Sequence, residues 1–103
     1  MSEHMDVRIQ GHSMWPTFCD GDVLRMMPIL PDEPLVVGDV VLANHPLKPS
    51  VLVVKRIQRI EEDGRLFLVG DQSDPTASED SHNFGPVSQH AVQAKWSGVV
   101  ERA

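Results

Sequence analysis

Ser13 lies in Gly11-His12-Ser13-Met14-Trp15-Pro16-Thr17, and Lys55 lies downstream in the apolar run Val51-Leu52-Val53-Val54-Lys55-Arg56-Ile57. A serine hydroxyl is a poor nucleophile at neutral pH and needs a neighbour that accepts its proton. A neutral lysine amine can do this, in the role that histidine fills in other serine systems. Further along the chain comes Ser78-Glu79-Asp80-Ser81-His82-Asn83-Phe84-Gly85, rich in hydroxyls and carboxylates. Serine, lysine and polar loop in this order are the parts of a nucleophile and general-base pair with a segment to orient it.

The local setting of each residue supports that chemistry. Gly11 permits a close backbone approach ahead of Ser13, and Pro16 stiffens the loop after it. Ser13 is then expected in a turn leaving a strand over Val7–Gln10, with its own amide available to an oxyanion. In a strand, residues of one parity share a face, so Lys55 sides with Val51, Val53 and Ile57. Arg56 and Gln58 point the other way with Val54. A lysine among aliphatic side chains loses hydration of its charged form, which lowers its pKa and makes a neutral amine available. The bland alternatives are a solvated serine in a strand-to-loop turn and a lysine that snorkels its ammonium into water. Both residues together favour the pair.

The elements that must position these residues are almost all strands. Short β-branched runs at Val7–Gln10, Val23–Met27, Val36–Ala43, Val51–Ile60, Arg65–Val69 and Ala91–Val100 are separated by Gly, Pro and Asp. Glu61-Glu62-Asp63-Gly64 predicts a hairpin turn in which Asp-Gly supplies the positive φ angles. The chain has 8 prolines and no sustained helical period, which argues against long helices. Gln72 to Gly85 reads as a polar loop and Met1 to Asp6 as a loose tail, leaving 7–103 as a single domain. The expected class is mainly β: a compact, irregular barrel or folded sheet with little helix.

With 103 residues there is room for one core. Lys and Arg number 9 against 15 Asp and Glu, a net charge of −6. That balance, with no basic patch, argues against nucleic acid and anionic membranes as partners. The apolar runs are far shorter than the ~18–20 residues of a membrane span. No signal-peptide pattern opens the chain, and a single cysteine allows no internal disulfide, so a cytoplasmic address is expected.

Taken together, Gly11 to Thr17, Gly38-Asp39-Val40-Val41, Val54-Lys55-Arg56 and Gly70-Asp71-Gln72 through Gly85 resemble the successive motifs of type I signal (leader) peptidases. The resemblance runs from about Val7 to Val87. It implies that Ser13 is the nucleophile, Lys55 the general base, Ser78 the residue that orients the lysine, and Asp80 a support for that loop. It also implies that Arg8, Ile9 and Gln10 pair with an extended substrate by β-addition, and that no cofactor or metal is needed. The chain departs from the pattern where Gly11 replaces a serine of the oxyanion hole and where His82 replaces an arginine. The family's membrane anchor and large inserted domain are expected to be missing. Size and the expected lack of an anchor make the chain most similar to the subfamily that matures nickel-type superoxide dismutase. A protein precursor is then the implied partner, cut once to remove an N-terminal extension.

Other readings compete with this one. Cys19 with His12 as base is a possible thiol pair, against which stands a buried structural cysteine. His4, His12, His45, His82 and His90 show no ligand spacing. Ser2-Glu3-His4 would suit square-planar Ni(II) or Cu(II) only with a free amine at Ser2, and chance or a cloning remnant explains it better. Trp15, Trp96 and Phe84 read as core or pocket walls. A self-cleaving LexA-type domain shares the Ser/Lys pair, but the residues ahead of Ser13 are expected to be too few for a DNA-binding domain and a self-cleavage loop. An anchorless signal-peptidase homologue with another substrate is a further alternative. A non-catalytic β-module binding extended peptides is the reading from outside the enzyme class.

Overall fold

Val40-Val41-Leu42-Ala43 is apolar without a break, and a strand buries consecutive side chains only when both its faces are covered. The computed structural model, which describes residues 3–30 and 32–103, shows this arrangement. Val40 and Leu42 pack with Leu24, Met26 and Ala94 in one core. Val41 and Ala43 pack with Ile57, Leu66, Leu68 and Val92 in another. The loop after the first strand closes the first core with Met14 and Phe18, and Leu35 and Val87 close the second.

The strands are β1 (Met5–Arg8), β2 (Val23–Pro28), β3 (Val40–Asn44), β4 (Leu52–Ile60), β5 (Leu66–Val69) and β6 (Val92–Glu101). They form a 6-stranded sheet in the order β1-β2-β6-β3-β4-β5, with every pairing antiparallel. β1 is therefore an edge strand. β4 pairs with β3 from Leu52 to Arg56 but with β5 only from Arg56 onward, so half of β4 has a neighbour on one side alone. A helical turn, α1 (Ser81–Phe84), and short 3-10 turns at Pro75–Ala77 and Gln89–Ala91 complete the described elements. No described helix is long and apolar enough to cross a membrane. The mainly β class expected from the sequence is what the chain adopts.

Several boundaries differ from the sequence-based expectation, each for a local reason. The first strand starts at Met5, because Met5 and Asp6 pair with Met26 and Arg25 of β2 and are not a tail. Met1 and Ser2, including the free-amine position of the Ser2-Glu3-His4 arrangement, lie outside the described residues. The third strand starts at Val40 and not Val36. Val36 begins a turn in which Asp39 Oδ2 accepts its N–H, Gly38 takes φ +98°, and Val36 and Val37 face solvent. In the β4–β5 hairpin only Gly64 has positive φ. Asp63 contributes its side chain instead, Oδ1 accepting the Arg65 N–H, while Glu61 N donates to Arg65 O. That is a turn closed by one left-handed glycine rather than by an Asp-Gly pair. Inside the polar loop, α1 is capped by Asp80, whose Oδ1 accepts His82 N–H while Asn83 Oδ1 accepts the Asp80 N–H.

Candidate active site

A groove of about 520 Å³ runs between β1 and the unpaired half of β4 and contains both Ser13 and Lys55. Its walls follow from the strand alternation. Ile9 N donates to Asp22 O and Ile9 O accepts Gly21 N, so the peptide groups of Asp6, Arg8 and Gln10 face away from β2. On β4, Ile57 N and O bond to Asp39 and Gly38, which turns the peptide groups of Leu52 and Val54 away from β3. Two open backbone edges thus line one groove. The expected substrate-binding residues Arg8, Ile9 and Gln10 are all on it, but their roles differ: Ile9 is 5% exposed and anchors the wall, while Arg8 and Gln10 carry the open edge.

Ser13 is held by the apolar residues around it. Met14 and Phe18 are 1% and 0% exposed and nail the loop to the first core, with Phe18 edge-on to Trp96 at a ring separation of 4.9 Å. Gly11 N donates to Asp20 Oδ1 at 2.7 Å, closing the loop's base. Ser13 O accepts Gln72 N at 2.9 Å, which docks the loop on the segment after β5. Gly70 marks how tight that docking is. A Cβ on Gly70 would lie 2.5 Å from both Ser13 O and Ser78 Oγ.

Lys55 is 4% exposed and sits opposite Val41 of β3. Its Nζ donates to Ser78 Oγ at 3.0 Å, and Ser78 Oγ donates to Asp80 Oδ2 at 3.4 Å. Asp80 in turn accepts Gly70 N at 3.2 Å and both the N–H and Nδ1 of His82 at 2.9 Å. Burial holds Lys55 below the usual lysine range, against the opposing pull of the Asp80 and Glu79 carboxylates. Burial also raises Asp80, but the hydrogen bonds from His82 and Gly70 outweigh this and keep its carboxyl below the ordinary range. The contact between Asp80 and the histidine that stands for arginine is therefore made in the structure. Ser13 and Lys55 both line the groove, and Ser78 stands behind them, with Lys55 Nζ bonded to Ser78 and not to Ser13.

A second set of contacts joins the serine loop to the lysine strand, and the sequence reading missed it. Arg56 Nε and Nη2 grip Asp71 Oδ1 and Oδ2 at 2.9 and 2.7 Å, and Nη1 donates to Gly38 O at 2.8 Å. Thr17 Oγ1 donates to Asp71 Oδ2 at 2.7 Å. The residue after Lys55 thus reaches, through Asp71, the loop that bears Ser13. Thr17 and Asp71 were visible inside the motifs, but only the fold brings them together. Two other expectations are corrected. Cys19 is exposed rather than buried, because its backbone turns with Asp22 and leaves the side chain outside. Trp15 is 48% exposed and belongs to neither core, whereas Trp96 packs on the first and Phe84 on the second.

These contacts predict the effect of removing one hydroxyl. If Lys55 is the general base for Ser13 in peptide hydrolysis, Ser78→Ala should lower the rate about 10–100-fold and leave a residue of activity, since Ser78 would then aim the amine without joining the covalent chemistry. Steady-state rates for the variant across the pH range provide the check. Wild-type rates throughout would remove Ser78 from the site.

The family model for Peptidase S24-like proteins matches residues 2–97. The chain is 33% identical over 108 aligned positions to the mitochondrial ATP-independent inner membrane protease subunit 1a of Arabidopsis thaliana. That alignment takes in 84% of this chain and 64% of the relative, so the chain spans under two thirds of the relative's length.

Proposed function

The chain belongs to the Peptidase S24-like family, and from that premise we propose that it is a serine endopeptidase with a Ser13/Lys55 dyad. The observation that carries the reading is a buried lysine, hydrogen-bonded to a serine, lining the same groove as Ser13. An extended peptide lies between the open edges of β1 and β4 and places its carbonyl by Ser13. Ser13 Oγ attacks the carbonyl carbon as neutral Lys55 Nζ takes the hydroxyl proton. The Ser13 N–H donates to the oxyanion, and Gly11 adds no side-chain donor there. The Lys55 ammonium returns its proton to the leaving amine. Lys55 then takes a proton from a water that attacks the acyl carbon and returns it to Ser13 Oγ as the ester bond breaks, and Asp80 holds Ser78 in line throughout.

Within this reading the substrate is a protein precursor with an N-terminal extension, the kind of segment most readily presented in extended form. Likeness of the chain's overall pattern to the maturation proteases of nickel-type superoxide dismutase supports that dismutase's precursor as the substrate. The test is to mix the purified chain with the precursor and read product mass and new N-terminus. A single cut near the N-terminus is expected. An intact precursor alongside cleavage of a generic signal-peptide substrate would replace this substrate with a signal-peptidase one. Failure of a serine-reactive fluorophosphonate to label Ser13 would leave a peptide-binding β-module instead.

A further inference from the structure

His45 and Glu79 line the groove, and the reaction above uses neither. His45 follows β3, is 3% exposed, and has its ring against Phe84 at a centroid separation of 4.8 Å. The turn between β3 and β4 folds around it: His45 N donates to Val51 O and His45 O accepts Lys48 N. Its Nδ1 accepts the Leu47 N–H at 3.1 Å. The ring proton must then be on Nε2, which donates to Glu79 Oε1 at 2.9 Å, and the ring is uncharged while both bonds stand.

A carboxylate pinned by a neutral donor keeps its whole charge for something else. Several carboxylates here are matched to cations instead: Asp71 to Arg56, Asp22 to Arg102, Asp63 to Arg65, Glu33 to Lys95. Among the described residues Glu79 Oε2 receives no hydrogen bond, and the side chain is 56% exposed toward the groove. The His45 bond and then the Lys48 charge hold its carboxyl below the ordinary range, so it is ionised at neutral pH. Lys48 lines the same groove but forms no ion pair with Glu79 within 4.0 Å. Glu79 also directly follows Ser78, the serine on Lys55, lines the groove that holds Ser13 and Lys55, and acts on the Lys55 charge.

We propose that Glu79, held by His45, is a charge-selecting subsite that takes a lysine or arginine side chain of the extended ligand near the scissile bond. The proposal rests on the peptidase reading only in treating that ligand as a substrate. Lys48 competes for the same carboxylate, and Asp6 and Arg8 lie on the opposite wall.

The experiment uses full-length protein carrying Ser13→Ala, titrated with fluorescein-labelled peptides of alanine and valine bearing one Lys, Gln or Glu at each position in turn. At low ionic strength one position should show Lys bound about three- to fivefold more tightly than Gln, the size expected of a solvent-accessible ion pair. The protein's overall negative charge would favour Lys equally at every position, so the single position is the signature. Glu79→Gln should abolish the preference, Glu79→Lys should turn it toward Glu, and Lys48→Ala should widen it. His45→Gln, which keeps a donor for Glu79, should retain it. Equal binding across the set, absence of binding, or a preference that survives Glu79→Gln overturns the proposal. Hydrolysis of the same peptides by the unsubstituted chain tests the peptidase reading separately. Charge preference without hydrolysis keeps the subsite, and hydrolysis without charge preference removes it.

Discussion

Ser13→Ala and Lys55→Ala will each reduce peptide hydrolysis by about 10³-fold or more, and the double variant will lose no more than either alone. In the proposed dyad nucleophile and base act in one step, so removing either removes the step. The pH dependence of the unsubstituted chain follows from the same burial. Lys55 lies below the usual lysine range because desolvation disfavours its charged form. Activity should therefore rise with pH through that lowered value and be weak in acid. The same shift acts on stability with a definite sign. The folded state binds the proton less tightly than the unfolded chain, so Lys55 destabilises the fold fully at pH below its folded pKa. That penalty is relieved as pH climbs toward the unfolded value of ~10.4. Lys55→Met, which fills the space without a charge, should thus be inactive yet melt at a higher temperature at neutral pH, with the gain shrinking in alkali. Appreciable turnover by Lys55→Ala at neutral pH, or a flat rate profile from mild acid to alkali, would remove the dyad.

Gly70→Ala should lower kcat by about 10²-fold while the protein still folds, the loss expected when reacting groups are displaced by about an ångström. The reason is space and not backbone freedom, since Gly70 is not among the glycines at positive φ. Its new methyl would lie 2.5 Å from Ser13 O and Ser78 Oγ and 3.0 Å from Ser78 Cβ. Ser13 O is tied to Gln72 N, and Ser78 Oγ is tied to Lys55, so neither side can yield without moving the proposed nucleophile or the proposed base. Overpacking of this kind costs about 1–3 kcal/mol of stability, which a denaturant titration will read. Gly11→Ala is the contrast in packing: nothing lies within 4 Å of its Cβ, so any loss there comes from its φ of +84°. A Gly70→Ala enzyme with wild-type kcat would show that Ser13 and Ser78 need not be so closely apposed.

What the sequence by itself determined is what depends on neighbours along the chain. Strand parity put Lys55 with Val53 and Ile57, and the structure buries it there beside Val41. Gly, Pro and Asp punctuation separated six runs that became six strands, with ends in error where Gly38 and Asp39 form a turn. Motif order proposes Ser13, Lys55 and Ser78 as one functional group, and in the fold Ser13 and Lys55 line one groove while Ser78 bonds the lysine. Only tertiary structure decided that Gly70 is caught between two serines, that Arg56 reaches Thr17 through Asp71, and that His45 holds Glu79 across 34 residues. The physical reason is one of range. Backbone alternation and turn chemistry act over a few residues, so they are written locally. A hydrogen bond between distant loops depends on how the sheet curls and which strands pair, and a lone histidine at a strand end carries no mark of the carboxylate it will meet.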